Sequence, residues 1–229
     1  MRYAISDIHG CLQTFRSLLE DTIVFNKNDT LFLLGDYIDR GPDVKGLLDY
    51  IMALRSDGYQ IIALKGNHED VFMQVLKRKA SVADWIYNGG RFTLDSFGCT
   101  MYENVHAGIA KIPAEYISFL EHLQLYVVLD DYWLVHAGFN FTIDDPLSDE
   151  EAMLWLRRFD VDKNKLGKRK IIHGHTPTPV EMIIENCRRD SVIVNIDAGC
   201  VYAGKPGLGN LAAYNMDTCE VRYVKNCDV

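Results

Sequence analysis

Several things are missing from this chain, and each absence narrows what it can be. The six cysteines, Cys11, Cys99, Cys187, Cys200, Cys219 and Cys227, form no C-x-x-C pair and follow no regular spacing. Reduced thiols in a cytosolic protein are therefore expected, not a disulfide framework. No apolar stretch approaches the length that crosses a bilayer. The opening Met1-Arg2-Tyr3-Ala4-Ile5 meets the charge of Asp7 before a signal-peptide core could form. A soluble, cytoplasmic protein with no membrane partner is the expectation. Basic excess is missing too: 24 Lys and Arg face 32 Asp and Glu, a formal charge of −8. That balance argues against a nucleic-acid partner, but not against a small anionic substrate, because the field at a site can oppose the global sign. There is also no internal repeat and no low-complexity linker. What remains is 229 residues, nearly half of them apolar, which can bury a substantial core. A single domain over 1–229 is expected.

The first third alternates two periodicities. Tyr3–Ile5, Leu31–Leu34 and Gln60–Leu64 are short apolar runs suited to buried strands. Between them, Leu12, Phe15, Leu18 and Leu19, then Val44, Leu47, Leu48, Ile51 and Leu54, recur at helical spacing. A β-α-β-α-β series implies parallel strands with right-handed crossovers, and functional loops at the carboxyl ends of those strands. Residues 69–122 read as a helical insertion beside the site. It contains a helix around Val71–Leu76, a turn signal at Asn88-Gly89-Gly90, and helices near 91–97 and 113–122. Val127–Leu129 and Trp133–Val135 predict a hairpin through Asp130-Asp131. Strands near 170–172, 192–196, 211–214 and 221–224 make the last third mainly β.

Polar clusters follow these apolar runs. They are Asp7-Ile8-His9-Gly10, Gly35-Asp36-Tyr37-Ile38-Asp39-Arg40-Gly41, Gly66-Asn67-His68-Glu69, His136-Ala137-Gly138 and His173-Gly174-His175. Each alone has an ordinary reading. Asp7-x-His9 suits a turn or helix cap, Gly35-Asp36 a strand-ending turn, Asn67 a helix N-cap, and His136 a satisfied core histidine. Five coincidences of residue type and strand-end placement outweigh those readings together. Asp7, His9, Asp36, Asn67, His136 and His175 offer carboxylate, imidazole and amide donors without thiolate. That set suits Mn²⁺ first, with Fe or Zn²⁺ as alternatives. Six donors exceed one tetrahedral ion and fit two divalent ions if one carboxylate bridges. Asp36, between the flanking clusters, is the candidate bridge. Two such ions can acidify a shared water and clamp a phosphoryl group for in-line attack.

Together with Gly174-His175-Thr176-Pro177, these strings resemble the metallophosphoesterase superfamily, and within it the compact bacterial and phage phosphoprotein phosphatases. Gly-Asp-Tyr-Ile-Asp-Arg-Gly is the most branch-specific string, and the matches run from residue 7 to residue 177. The resemblance implies an α/β fold, a sandwich of two mixed sheets flanked by helices. It implies Asp7, His9 and Asp36 on a first metal and Asp36, Asn67, His136 and His175 on a second. It gives His68 the role of general acid for the leaving oxygen, oriented by Asp39, although an Asp beside Arg40 could equally form a structural ion pair. Arg40 becomes a phosphate clamp, and Arg157, in a segment similar to the family's Leu-Trp-x-Arg, a second one in preference to Arg158. Asn195-Ile196-Asp197-Ala198-Gly199-Cys200 matches a family strand end, with Ala198 where Thr or Ser is frequent. Cys11 is not required as a nucleophile, and the role of the loop from Gly204 to Gly209 stays open.

The expected activity is hydrolysis of phosphomonoesters, with phosphoserine or phosphothreonine in a protein or peptide as first substrate and a small phosphate ester as the other partner class. Trp85-Ile86-Tyr87-Asn88-Gly89-Gly90 resembles a segment of bacterial and phage protein phosphatases, so Asn88 either reaches substrate or serves a turn. The alternative is symmetrical cleavage of diadenosine tetraphosphate. A metal-dependent phosphopeptide-binding protein is third, disfavoured because every ligand, the acid and the first clamp are present.

Overall fold

A computed structural model describes residues 1–99, 104–188 and 191–228. In chain order, the strands are β1 (Arg2–Ile5), β2 (Thr30–Leu33), β3 (Gln60–Ala63), β4 (Tyr126–Val128), β5 (Tyr132–Val135), β6 (Lys170–His173), β7 (Ile193–Asn195), β8 (Asn210–Asn215) and β9 (Glu220–Lys225). The helices are α1 (Leu12–Ser17), α2 (Val44–Ser56), α3 (Asn67–Leu76), α4 (Val82–Trp85), α5 (Arg91–Ser96), α6 (Val105–Ile109), α7 (Ala114–Glu121), α8 (Glu150–Trp155), α9 (Lys163–Leu166) and α10 (Val180–Arg188). None of the described helices is long and apolar enough to cross a membrane.

Two mixed sheets are present, in the orders β3-β2-β1-β8-β9 and β4-β5-β6-β7. Strand alternation sorts the apolar side chains into layers. Ala4, Phe32 and Leu64 from the first sheet meet Leu134, Ile172 and Val194 from the second, forming the filling of the sandwich. The opposite face of the first sheet, Tyr3, Ile5, Leu31 and Leu33, packs under Phe15, Val44, Leu47, Ile51 and Phe72 of the first three helices. The outer face of the second, Trp133, Val135 and Ile171, packs on Phe139, Phe141, Met153 and Leu166. The result is helix on sheet on sheet on helix, as the resemblance implies. Burying a side chain such as Phe32 contributes about 1.5–3 kcal/mol, so each layer adds to one cooperative stack.

Register decides where the chemistry lies. Ile5 pairs with Leu33 and Leu33 with Ala63, all in parallel. The three strands therefore end level, and the loops at Asp7, Asp36 and Asn67 leave from one edge. Tyr132↔Lys170 and Ile172↔Val194 align β5, β6 and β7 in the same way, delivering His136, His175 and Asp197.

Three local expectations are corrected. Asn67 is the first residue inside α3, and its N-cap is Gly66. Asn88-Gly89-Gly90 is no simple turn: Ile86–Gly90 is a wide helical turn between α4 and α5, kinked where Gly89 takes φ 111°. The last third is not mainly β, because α10 connects the parallel pair β6 and β7 and buries Val180 and Ile183. Parallel neighbours need such a crossover.

Candidate dimetal active site

Six non-glycine residues of the strand-end loops hold left-handed backbone: Asp7, His9, Asp36, Asp39, Arg40 and His175, with φ between 47° and 68°. Such conformations cost energy and gather where surrounding structure enforces them. Here the enforcement is visible. Glu69, fully buried, accepts four backbone N–H bonds: Tyr37 and Ile38 donate to Oε1 at 2.8 and 3.2 Å, and Asp36 and Gly66 donate to Oε2 at 2.9 and 2.8 Å. His9 N donates to the Asp36 carbonyl at 2.9 Å and Gly10 N to that of Tyr37 at 2.8 Å. Glu69 thus ties the second loop to the third, and backbone bonds tie it to the first.

The expected donors converge with their lone pairs inward. His9 donates its Nδ1–H to the Ile38 carbonyl at 2.8 Å, leaving Nε2 as an acceptor 3.5 Å from Asp36 Oδ2. His136 donates Nδ1–H to the Leu34 carbonyl at 2.9 Å, leaving its Nε2 3.6 Å from Asp36 Oδ1. One carboxylate therefore faces two imidazoles with different oxygens. His136 Nε2 also lies 3.0 Å from Asn67 Oδ1 and 3.2 Å from His175 Nδ1, which is itself 3.0 Å from the Asn67 oxygen. Acceptors packed this closely have too few protons to share, and a cation satisfies all of them at once. Two groups of side chains have metal-holding spacing: His9, Asp36 and His68, and Asp36, His136 and His175. Asp7 is in neither group. Its Oδ2 accepts from the Ser6 hydroxyl and, at 2.9 Å, from His175 N, although the residue lines the same cleft.

Electrostatics agree with that demand for positive charge. Burial, then the carboxylates of Asp7 and Glu69, push the Asp36 carboxyl well above its usual range. Burial and Asp7 do the same to Asp197, a cleft residue absent from the expected ligand set. Burial, then the nearness of His68 and Arg40, holds His9 well below its ordinary value, and burial with the nearby His136 and Arg157 brings His175 down to about 2. Neutral imidazoles and under-compensated carboxylates are what divalent cations need.

Beside these donors, His68 gives its Nδ1–H to Asp39 Oδ2 at 2.7 Å. Asp39 is wholly buried and also receives Thr93 Oγ1 at 2.6 Å and Trp85 Nε1 at 3.1 Å. Burial lifts the Asp39 carboxyl to about 7 against the pull of those donors. Its partners are thus His68, Thr93 and Trp85, and no Asp39–Arg40 ion pair occurs among the described residues. Arg40 instead reaches His9 Nε2 with Nη1 at 2.9 Å. Its backbone N–H donates to the Gly89 carbonyl, and a Cβ on Gly89 would stand 2.7 Å from Arg40 Cγ. Arg157 lines the cleft while Arg158 does not. Asn88 lines it too, with Nδ2 turned back onto the Asp84 carbonyl at 2.8 Å. His173 lies apart from the donors, with Nδ1–H on the Gly174 carbonyl and its ring 5.5 Å from that of Phe159.

Sequence reading missed Glu69 as an organiser, Asp197 as a cleft carboxylate, and Thr93 and Trp85 as partners of Asp39. Glu69, Asp197 and Trp85 carried a signal, as letters inside quoted motifs, and Thr93 carried none.

A family model described as calcineurin-like phosphoesterase matches residues 3–215. The chain belongs to that family. Family members use a dimetal centre, and the two side-chain groups are where one could sit here. Among curated relatives, the symmetrical bis(5'-nucleosyl)-tetraphosphatase of Buchnera aphidicola is 45% identical over 29% of this chain and 23% of its own length. That match spans less than a quarter of the relative. The asymmetrical bis(5'-nucleosyl)-tetraphosphatase PrpE of Anoxybacillus flavithermus is 26% identical over 88% of this chain and 86% of its own. The crystal structure of a candidate diadenosine tetraphosphatase superposes with a TM-score of 0.68 at 18% identity, over 100% of this chain and 94% of that one. At that identity it establishes the fold.

Proposed function

We propose that this phosphoesterase hydrolyses phosphate esters and anhydrides at two divalent cations, held by Asp7, His9 and Asp36 on one side and by Asp36, Asn67, His136 and His175 on the other. The observation that carries the reading is the Asp36 carboxylate, whose two oxygens address two separate imidazoles. Cations in those positions would acidify the attacking water and neutralise phosphoryl oxygens, with Mn²⁺ the first candidate.

The chain's own residues do the rest. Arg40 and Arg157 bind equatorial phosphoryl oxygens through planar guanidinium groups. His68 presents Nε2 to the site because its Nδ1–H is committed to Asp39, and it delivers a proton to the leaving oxygen as the P–O bond breaks. Asp39, fixed by Trp85 and Thr93, holds that imidazole in one tautomer and one orientation. The proton leaves Nε2; burial, then Arg40 and His136, hold His68 well below its ordinary value, and the Asp39 carboxylate would oppose that by stabilising the cationic form that precedes the transfer.

For substrate, the dinucleoside polyphosphate reading ranks first, supported by relatives of both tetraphosphatase types. Phosphoserine or phosphothreonine in proteins is the second reading, supported by the Trp85–Gly90 string and by Asn88 at the cleft. The test measures kcat/KM for diadenosine tetraphosphate and a phosphopeptide side by side, in Mn²⁺ and after chelation. Chelator-sensitive turnover with the dinucleotide preferred is expected. Metal-independent turnover would overturn the whole reading, and peptide preference would reverse the ranking.

A further inference from the structure

The loop after β7 carries a feature that the hydrolytic residues do not use. Asp197 Oδ1, in the cleft, accepts from Gly199 N at 2.8 Å. Tyr202 N then donates to the Gly199 carbonyl at 2.9 Å, and Lys205 N to that of Tyr202 at 2.9 Å. Leu208 N donates to the Lys205 carbonyl at 3.1 Å, and Gly209 N returns to Gly199 at 3.0 Å. The segment is a closed, internally bonded loop whose first tie is a buried carboxylate of the site. It places the Tyr202 ring in the cleft wall, where one ring engages two cations. Arg40 Cζ stands 5.9 Å from the ring centroid and Lys205 Nζ 4.2 Å from it.

Arg40, the phosphate clamp, and exposed Lys205 thus both stand against the Tyr202 ring, no more than about 10 Å apart, within reach of cation–π attraction. Among the described residues, Lys205 has no carboxylate partner, and Arg40 and Arg157 feel the cleft's own buried carboxylates, Asp36, Asp39 and Asp197. With divalent cations offsetting those carboxylates, three basic side chains at one cleft and its mouth, in a chain of net charge −8, would mark where a polyanion can lie.

We propose that Tyr202 and Lys205 form an extension subsite for phosphate groups beyond the scissile one, so that the cleft takes a polyphosphate chain rather than an isolated phosphomonoester. The inference rests on the phosphoesterase reading above and adds residues to it. A polyphosphate carries charge on every phosphorus, so a phosphate further along the chain meets Lys205 directly once the first is held by Arg40. An acidic peptide would have to bring a carboxylate there on a flexible stem, at a cost in side-chain entropy. Tyr202 positions both cations, and Lys205 supplies the charge.

The experiment uses the Mn²⁺-loaded full chain with p-nitrophenyl phosphate as reporter, and orthophosphate and inorganic tripolyphosphate as competing inhibitors. Wild type is expected to bind tripolyphosphate the more tightly. Lys205→Met should cut that preference about tenfold, the scale of one lost charge-assisted contact. Tyr202→Leu should cut it about as far while also weakening orthophosphate through Arg40. In parallel, Lys205→Met should lower kcat/KM for diadenosine tetraphosphate about tenfold more than for p-nitrophenyl phosphate, through KM. A preference unchanged within twofold overturns the subsite. A loss confined to a phosphopeptide with acidic flanks overturns the polyphosphate assignment. No turnover of any ester by wild type would instead sink the phosphoesterase reading, a separate failure.

Discussion

The two sheets contribute unequally to the site. Loops from the five-stranded sheet are tied to one another: Glu69 gathers four backbone N–H groups, and His9 and Gly10 bond to the following loop. Side chains from the four-stranded sheet are oriented from across the sandwich. His136 is turned by the Leu34 carbonyl, and the His175 backbone is held by the Asp7 carboxylate. The loops of the first half are cross-linked among themselves, whereas those of the second take much of their aim from the first. Preorganised ligands need supporting partners, and here most of that support sits on one side.

The largest effect should come where the halves meet. Asp36→Asn removes the shared carboxylate, so activity on p-nitrophenyl phosphate should fall by more than the about 100-fold typical of outer partners. Elemental analysis should show fewer than two metals per chain. Retention of both metals and of activity within tenfold would break the bridging assignment. His68→Asn should keep the metal content yet lower kcat by about 10²- to 10³-fold on alkyl phosphates, and less on p-nitrophenyl phosphate, whose leaving group needs no proton. Equal losses on both esters would remove the acid role.

The asymmetry itself is tested by a pair. Glu69→Gln leaves buried N–H groups without an acceptor, at a cost of about 1–3 kcal/mol. It should lower the melting temperature and weaken binding of both metals about 10- to 100-fold. His175→Ala should cost only the second metal in a calorimetric titration. If the two variants lose metals alike, the dependence runs both ways. The smallest effect belongs to Gly89→Ala. A methyl group 2.7 Å from Arg40 Cγ, at φ 111°, should displace the clamp and raise KM several-fold with little change in kcat.

Much of this arrangement was legible because strand ends and donor residues coincide along the chain. The parallel β1-β2-β3 series and the hairpin at β4-β5 followed from periodicity and position, and the sharing of Asp36 between His9 and His136 from the family resemblance. Other parts were not. Helix α10 carried its pattern, Val180, Ile183, Ile184 and Cys187 at helical spacing, but lay in a stretch read as mainly β. Glu69 was seen as a letter of a motif, because a carboxylate that accepts only backbone N–H groups leaves no pairwise trace in sequence. Trp85 and Thr93 reach Asp39 across 46 and 54 residues, a separation no local pattern encodes. Lys205 lay in a loop whose proposed role depends on a ring three positions earlier and an arginine from another strand end.

The left-handed residues at the strand ends have a consequence for anyone reshaping this molecule. A search for heat-resistant variants would be drawn to Arg40, since glycine there relaxes the backbone that the side chain endures, whereas glycine at Asp39 would strand three buried donors. The Arg40 variant should melt later and bind phosphate worse, so selection for robustness and selection for turnover would diverge along this one strip of chain.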